Sequence, residues 1–256
     1  MNKLKNCLLY KLNREILLII FSLTVFFSTG SYSSNRQPVE KSSISIGNKY
    51  SLLIGIDKYN NSGITDLNGA VNDIKLVQNV LRERFNFQKN DFIVLLNQQA
   101  THVNIEKAFK KLIKQVQPND LVYIHYSGHG SQTTDLNGDE PSGLDQTWVS
   151  FGSRQLGNKK NNYDVLDDEI DAWLAAIYAK TKNIIFVSDS CHSATVSRGK
   201  VPVVRGLKRD KRSHPLGKIS YTKLDEYYGI HIGSARNNEF AAETSGDDGK
   251  SYGLFT

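Results

Sequence analysis

The sequence predicts an α/β fold with a mostly parallel central sheet and helices on both faces. Three observations carry that reading. Strand-length apolar runs alternate with longer stretches whose apolar residues recur at helical spacing. No fixed-period repeat interrupts the alternation. The composition is 39% hydrophobic and 23% charged with only 5 Pro in 256 residues, which is globular rather than disordered or collagen-like. In order, residues 50–56 (YSLLIGI) read as a buried strand. Residues 67–85 carry Ala70, Ile74, Val77, Val80 and Leu81 as a helical stripe. Residues 91–96 (DFIVLL) read as a second strand. Residues 104–116 repeat the helical period through Ile105, Ala108, Phe109, Leu112, Ile113 and Val116. Residues 120–126 (DLVYIHY) form a third strand, and 147–151 a short strand or hairpin arm. Residues 167–179 place Ile170, Trp173, Leu174 and Ile177 on one helical face. Residues 183–187 (NIIFV) and 228–235 (YGIHIGSA) complete the strands. Crossovers of this kind imply a parallel sheet. Ligands then sit beyond the carboxyl ends of its strands, at loops 57–66, 127–145 and 188–200.

Charge and cysteine content exclude several classes. Two cysteines rule out a disulfide-rich scaffold and a four-thiolate zinc site. The net charge of +6 is concentrated in residues 1–30 and in residues 198–223, where nine basic residues face Asp210 alone. The remaining body is acidic, which argues against a nucleic-acid face. Residues 1–15 are mostly polar and basic, 16–27 (ILLIIFSLTVFF) are largely apolar, and small and polar residues follow, the order of a secretory signal. Twelve residues rise only about 18 Å as a helix against a hydrocarbon core of ~30 Å. The reading is therefore export to a periplasmic or extracellular space, with a membrane anchor through residues 16–27 as the alternative. Residues 1–30 are the signal or anchor, 31–47 a Ser-, Asn- and Gln-rich linker, and 48–256 the folded domain. Removal of the signal leaves Cys191 as the one thiol.

Two strand tips carry the chemistry. The third strand runs into Ser127-Gly128-His129-Gly130, the fourth into Ser188-Asp189-Ser190-Cys191-His192-Ser193. On neighbouring strands, these tips bring a thiol and an imidazole to one edge, as Cys–His nucleophilic catalysis requires. The glycines beside His129 allow substrate backbone to approach, and the amides of Gly130 and Cys191 can face a developing oxyanion. Two other readings stand at this level. Cys191 can be a small buried hydrophobe and His129 a turn histidine. His125, His129, Cys191 and His192 can also be metal ligands, although His125 should point into a core layer.

The strings YSGHGSQ (126–132), DLNGDEPSGLDQT (135–147) and SDSCHSAT (188–195) resemble the caspase-like cysteine peptidases, above all the bacterial metacaspases. NDI (72–74), LDDEI (166–170), GSAR (233–236) and GLFT (253–256) fall where that family has similar strings. The resemblance covers about residues 50–256, and its most specific part is the HG and DSCHS pair, 62 residues apart. It implies the caspase–hemoglobinase three-layer sandwich and a thiol endopeptidase with His129 and Cys191 as the catalytic dyad. It further implies protein or peptide substrates with Lys or Arg before the scissile bond, and a monomer. A membrane enters only if the N-terminal segment is uncleaved. A pocket for a buried cation needs carboxylates. Asp73, Ser127 and Asp189 match the family's pocket positions, and Asp189 shares a strand side with Cys191.

The dyad requires no cofactor, but the resemblance brings in calcium. Residues 135–171 hold nine acids against three bases. Such density repels itself unless a cation or water relieves it. Asp145, Asp167 and Asp168 match positions that bind activating calcium in some metacaspases, whereas the family's further aspartate is replaced here by Ser197-Arg198. The basic stretch 198–212 reads as long, polar and mobile, either a solvated linker or the enzyme's own substrate, cut at Arg205, Lys208, Arg209, Lys211 or Arg212. Ala194 stands where the family usually has Gly. The chain stops at Phe255-Thr256 where the family continues into another helix, so the expectation is a domain incomplete at that end. Two rival functions remain: a non-catalytic caspase-like binding module, and a metal-dependent hydrolase.

Overall fold

Strand β1 (Lys49–Gly55) is buried continuously from Ser51 to Gly55, and its successive side chains enter opposite cores, which sets the layers. The computed structural model of the chain describes residues 47–60, 63–155, 162–191, 203–218, 224–234 and 241–256. Contacts separate Met1–Ser43 from Ile44–Thr256, and every described residue lies in the second unit. The signal, the linker up to residue 46, His192, Ala194 and residues 197–198 fall outside the described residues.

The principal sheet has five strands in the order β2–β1–β3–β7–β8. They are β1 (Lys49–Gly55), β2 (Phe92–Leu96), β3 (Leu121–Ser127), β7 (Ile184–Asp189) and β8 (Ile230–Gly233). All its pairings are parallel. Among the described residues three helices cover it: α1 (Ala70–Phe85), α2 (His102–Gln115) and α3 (Asp167–Tyr178). Leu53 packs on one face with Ile74 and Leu81 of α1. Its neighbours Leu52 and Ile54 pack on the other face, with Phe109 and Leu112 of α2 and Leu174 and Ile177 of α3. The period of two in the strand thus separates two apolar cores. This is the expected three-layer α/β sandwich.

Every predicted strand and helix is present, with ends shifted by a few residues. The hairpin arm expected at 147–151 lies at β5 (Leu144–Trp148). It pairs antiparallel with β4 (Gly130–Thr134) and with β6 (Val165–Leu166). A further hairpin joins β9 (Glu243–Ser245) to β10 (Ser251–Gly253). Sequence patterning missed β4, β6, β9 and β10, which are short or polar.

One expectation is overturned. Residues 203–210 of the basic stretch are docked, not loose. Arg205 is fully buried, and Gly206 pairs in parallel with Gly130 while Val204 pairs antiparallel with Ala242. The amides of Leu207 and Asp210 donate to the carbonyls of Gly130 and Gln132, both at 2.8 Å. The segment runs between β4 (Gly130–Thr134) and residues 241–243, held to each by an isolated bridge and backbone hydrogen bonds. A buried Arg in a basic run is tolerated because acids from three other elements surround it.

Candidate active site

The chain passes from β1 to β2 on one side, then returns to place β3 on the other side of β1. That reversal is the switch point where open α/β sheets bind ligands. At the same end, Ser127 of β3 stands opposite Asp189 of β7. His129 and Cys191 each follow two residues later, so neighbouring strands carry both to one rim. Cys191 is a thiol and fully buried. The amides of Gly130 and Cys191 both donate to the Arg205 carbonyl oxygen at 3.0 Å. Two backbone donors converging on one oxygen are what an oxyanion site requires.

His129 is held by its own backbone. Its amide donates to the Tyr59 hydroxyl at 2.7 Å, and its carbonyl accepts from the Tyr126 hydroxyl at 2.7 Å and the Val149 amide at 2.9 Å. Nε2 lies 2.7 Å from the Thr65 carbonyl, which makes it the protonated nitrogen. Nδ1 makes no hydrogen bond and keeps a free lone pair. Burial pushes this imidazole down to about 4, against the pull of the Thr65 carbonyl. His129 is thus a neutral base at ordinary pH. Gly128 has a different use from the one expected: a Cβ there would meet the Tyr126 and Tyr59 hydroxyls at 2.6 and 2.9 Å. It makes room for the two tyrosines whose hydroxyls hold His129. Gly130 does lie against a backbone strand, at Gly206.

The three residues expected to form a cation pocket converge on Arg205. Its Nη2 is 2.7 Å from Asp73 Oδ2, and its Nη1 is 2.9 Å from Asp189 Oδ2. Nη1 also donates to Ser127 Oγ at 2.8 Å, and Ser127 in turn donates to Asp73 at 2.7 Å. Burial works against the guanidinium charge, and the facing Asp189 and Asp73 overcome it, holding the pKa above its ordinary value. Sequence reasoning missed a third carboxylate. Glu243 Oε1 lies 3.2 Å from Nη2 and accepts from the Gly69 amide at 2.7 Å. It sits in a stretch without motif, and only the fold brings it here. The pocket closes with Gly253, whose amide donates to Asp73 Oδ1 at 2.9 Å, and with Thr256, whose hydroxyl donates to Asp189 at 2.7 Å.

The acidic residues meet separately. Oxygens of Asp145, Asp167 and Asp168 lie within 4.8 Å of one another. Asp145 Oδ1 and Asp168 Oδ2 are buried without a hydrogen-bond partner. Burial first, then neighbouring acids, pushes Asp145 and Asp168 up to about 7 and Asp167 up to about 8. Orphaned, mutually repelling carboxylates fit a hard cation. His125 belongs to no cluster of potential metal ligands among the described residues. It is buried in the sheet, with Nδ1 3.1 Å from the Tyr123 hydroxyl.

Residues 49–198 match the metacaspase, peptidase C14 domain family. The chain is 32% identical over 223 residues to Metacaspase-1 of Sclerotinia sclerotiorum, covering 82% of this chain and 49% of that protein. It is also 32% identical over 223 residues to Metacaspase-1 of Botryotinia fuckeliana, covering 82% and 51%. Against Metacaspase-1A of Aspergillus niger it is 35% identical over 155 residues, covering 58% and 36%. The chain therefore spans about half the length, or less, of these relatives. Among solved structures, protein GSU0716 of Geobacter sulfurreducens is similar in fold. The TM-score is 0.56 at 21% identity, over 81% of this chain and 78% of that one.

Proposed function

The chain belongs to the metacaspase family of C14 peptidases, and from that premise we propose that it is a cysteine endopeptidase cutting after Arg or Lys, first of all in its own chain after Arg205. One observation carries the reading. Arg205 lies with its guanidinium among Asp73, Asp189 and Glu243 and its carbonyl between the amides of Gly130 and Cys191. This is how a substrate residue meets a peptidase, side chain in the specificity pocket and carbonyl in the oxyanion site. The backbone bridges at Val204 and Gly206 on either side of Arg205 are likewise of the kind by which extended peptides are read.

The chemistry follows from the groups present. The Cys191 sulfur attacks the Arg205 carbonyl carbon, and its proton passes to Nδ1 of His129, the nitrogen left open because Nε2–H is committed to Thr65. The Gly130 and Cys191 amides hold the oxygen as it becomes anionic. The C–N bond to Gly206 breaks as His129 returns the proton to the leaving amine, and water then releases the acyl group from sulfur. Among the five basic candidates, Arg205 is the one the geometry favours, because it alone is enclosed by carboxylates.

Calcium is part of the same proposal, with Asp145, Asp167 and Asp168 holding the ion. Its positive charge would let three crowded carboxylates ionise together at neutral pH. Asp145 lies on β5, whose Trp148 pairs with Gly130 and donates its indole N–H to Ser188 Oγ at 2.9 Å. Order in the acidic loop is thereby joined to the strand that bears an oxyanion donor. Export through residues 16–27 also belongs here, tested by the N-terminus of secreted protein.

The test is cleavage of paired Arg, Lys and Asp fluorogenic peptides by wild type and Cys191→Ala, with and without calcium, together with sequencing of any fragment. Cleavage confined to Arg and Lys, a new N-terminus at Gly206, and loss of both in Cys191→Ala are expected. Equal activity in Cys191→Ala overturns the mechanism. Preference for Asp overturns the pocket assignment.

A further inference from the structure

Away from the cleft, three elements bring together a second group of potential ligands. His102 opens α2, Glu169 is the third residue of α3, and His214 lies downstream of Gly206. Their ligand atoms all lie within 4.8 Å of one another. All three residues are buried: His102 is 9% exposed, His214 5% and Glu169 4%. His102 Nε2 is 3.0 and 2.9 Å from the two Glu169 oxygens, and the two imidazole centroids are 5.9 Å apart.

We propose that His102, Glu169 and His214 bind a divalent transition-metal ion, zinc foremost, which fastens the segment after Gly206 to the two helix starts. Two imidazoles and a carboxylate are a ligand set that zinc takes with a fourth position left to water. Calcium, which wants six to eight oxygens, does not suit it. Zinc bonds of about 2.0–2.1 Å arranged tetrahedrally set neighbouring ligand atoms roughly 3.3 Å apart. The His102–Glu169 pair is already near that spacing. The surroundings are those of metal-binding histidine. His214 Nε2 lies 2.8 Å from the Asp164 carbonyl and donates to it, the outer hydrogen bond that fixes the tautomer of a ligating imidazole. This leaves Nδ1 as ligand, now holding only a 3.3 Å hydrogen bond from the Leu216 amide. Glu169 is steadied by the Leu166 amide at 3.1 Å. Each ligand comes from a separate element, so a bound ion is a cross-link. The site involves no nucleophile and no residue of the cleft, and it stands whether or not the protein cuts peptides.

The test uses the Cys191→Ala protein with Cys7 also replaced by Ser, which removes both competing thiols, saturated with calcium to fill the acidic cluster. Cobalt(II) is titrated in and its visible absorption recorded. A one-equivalent signal of four-coordinate cobalt, bleached by zinc, is expected. In His102→Gln, His214→Gln and Glu169→Gln, cobalt affinity should fall at least tenfold. Glu169→Gln keeps an acceptor for the Leu166 amide, and far-UV circular dichroism of each variant reports folding. Zinc should also slow trypsin cleavage at Lys211 and Arg212 in Cys191→Ala and not in His214→Gln. Absence of the four-coordinate signal overturns the site. So does a signal unchanged in folded His102→Gln and His214→Gln, or zinc protection that persists in His214→Gln.

Discussion

The carbonyl oxygen of Arg205 accepts a 3.0 Å hydrogen bond from the amide of Cys191. Fourteen positions apart in the chain, the two residues meet through their backbones, as the proposed cleavage at Arg205 requires of an oxyanion donor. Four expectations rest on that meeting and its surroundings.

Exchanging Arg205 separates recognition from stability. In the Cys191→Ala background, Arg205→Gln leaves Asp73, Asp189 and Glu243 facing one another without their cation. Breaking such a buried pair costs about 3–5 kcal/mol, to be read by urea unfolding. With Cys191 present, Arg205→Lys should keep the fragment that begins near Gly206, and Arg205→Gln should lose it. The same fragment from both would refute cleavage at this position.

Gly253 should control entry of the cationic side chain. A Cβ there would lie 2.3 Å from Asp189 Oδ2 and 2.5 Å from Arg205 Nη1. Gly253→Ala should lower kcat/KM for Arg peptides at least tenfold, roughly 1.4 kcal/mol, while the protein stays folded. Unchanged kinetics would mean that substrates place their guanidinium elsewhere.

Tyr59 should act by holding His129 in place. Tyr59→Phe removes the acceptor of the buried His129 amide, a loss of about 1–3 kcal/mol. Stability and kcat should both fall, with KM nearly constant. A variant as active and as stable as wild type would contradict this role.

The acidic cluster should tie stability to pH. Asp145, Asp167 and Asp168 titrate near 7, 8 and 7 in the folded protein, against about 3.9 when unfolded. The folded state therefore binds more protons between about pH 4 and 8, and without calcium its stability declines as pH rises through that window. Calcium should reverse the decline. At about a hundredfold excess over Kd it adds roughly 2.7 kcal/mol, several degrees of Tm, and it should add more at pH 8 than at pH 5.5. A calcium shift of equal size at both pH values, or no shift in either, would exclude the ion from these carboxylates.

The central sheet and helices were legible because their apolar residues keep a period, as in residues 50–56 and 104–116. The strand tips were legible because His129 and Cys191 sit in short Gly- and Ser-rich exits from buried strands. β4 (GSQTT) was not, since its pairing partners and not its own polarity make it a strand. The seating of Arg205 was hidden for a similar reason. A basic residue in a basic run suggests solvent, and the acids that permit its burial come from α1, β7 and β9. Glu243 and Tyr59 carried no local signal at all.

Arg205 and Cys191 belong to one molecule, and that has a kinetic corollary. A tethered occupant does not leave on dilution, so its hold on the cleft is independent of protein concentration. Its severing should follow first-order kinetics with a constant half-time from nanomolar to micromolar protein. A visiting peptide, by contrast, competes only in proportion to its own abundance.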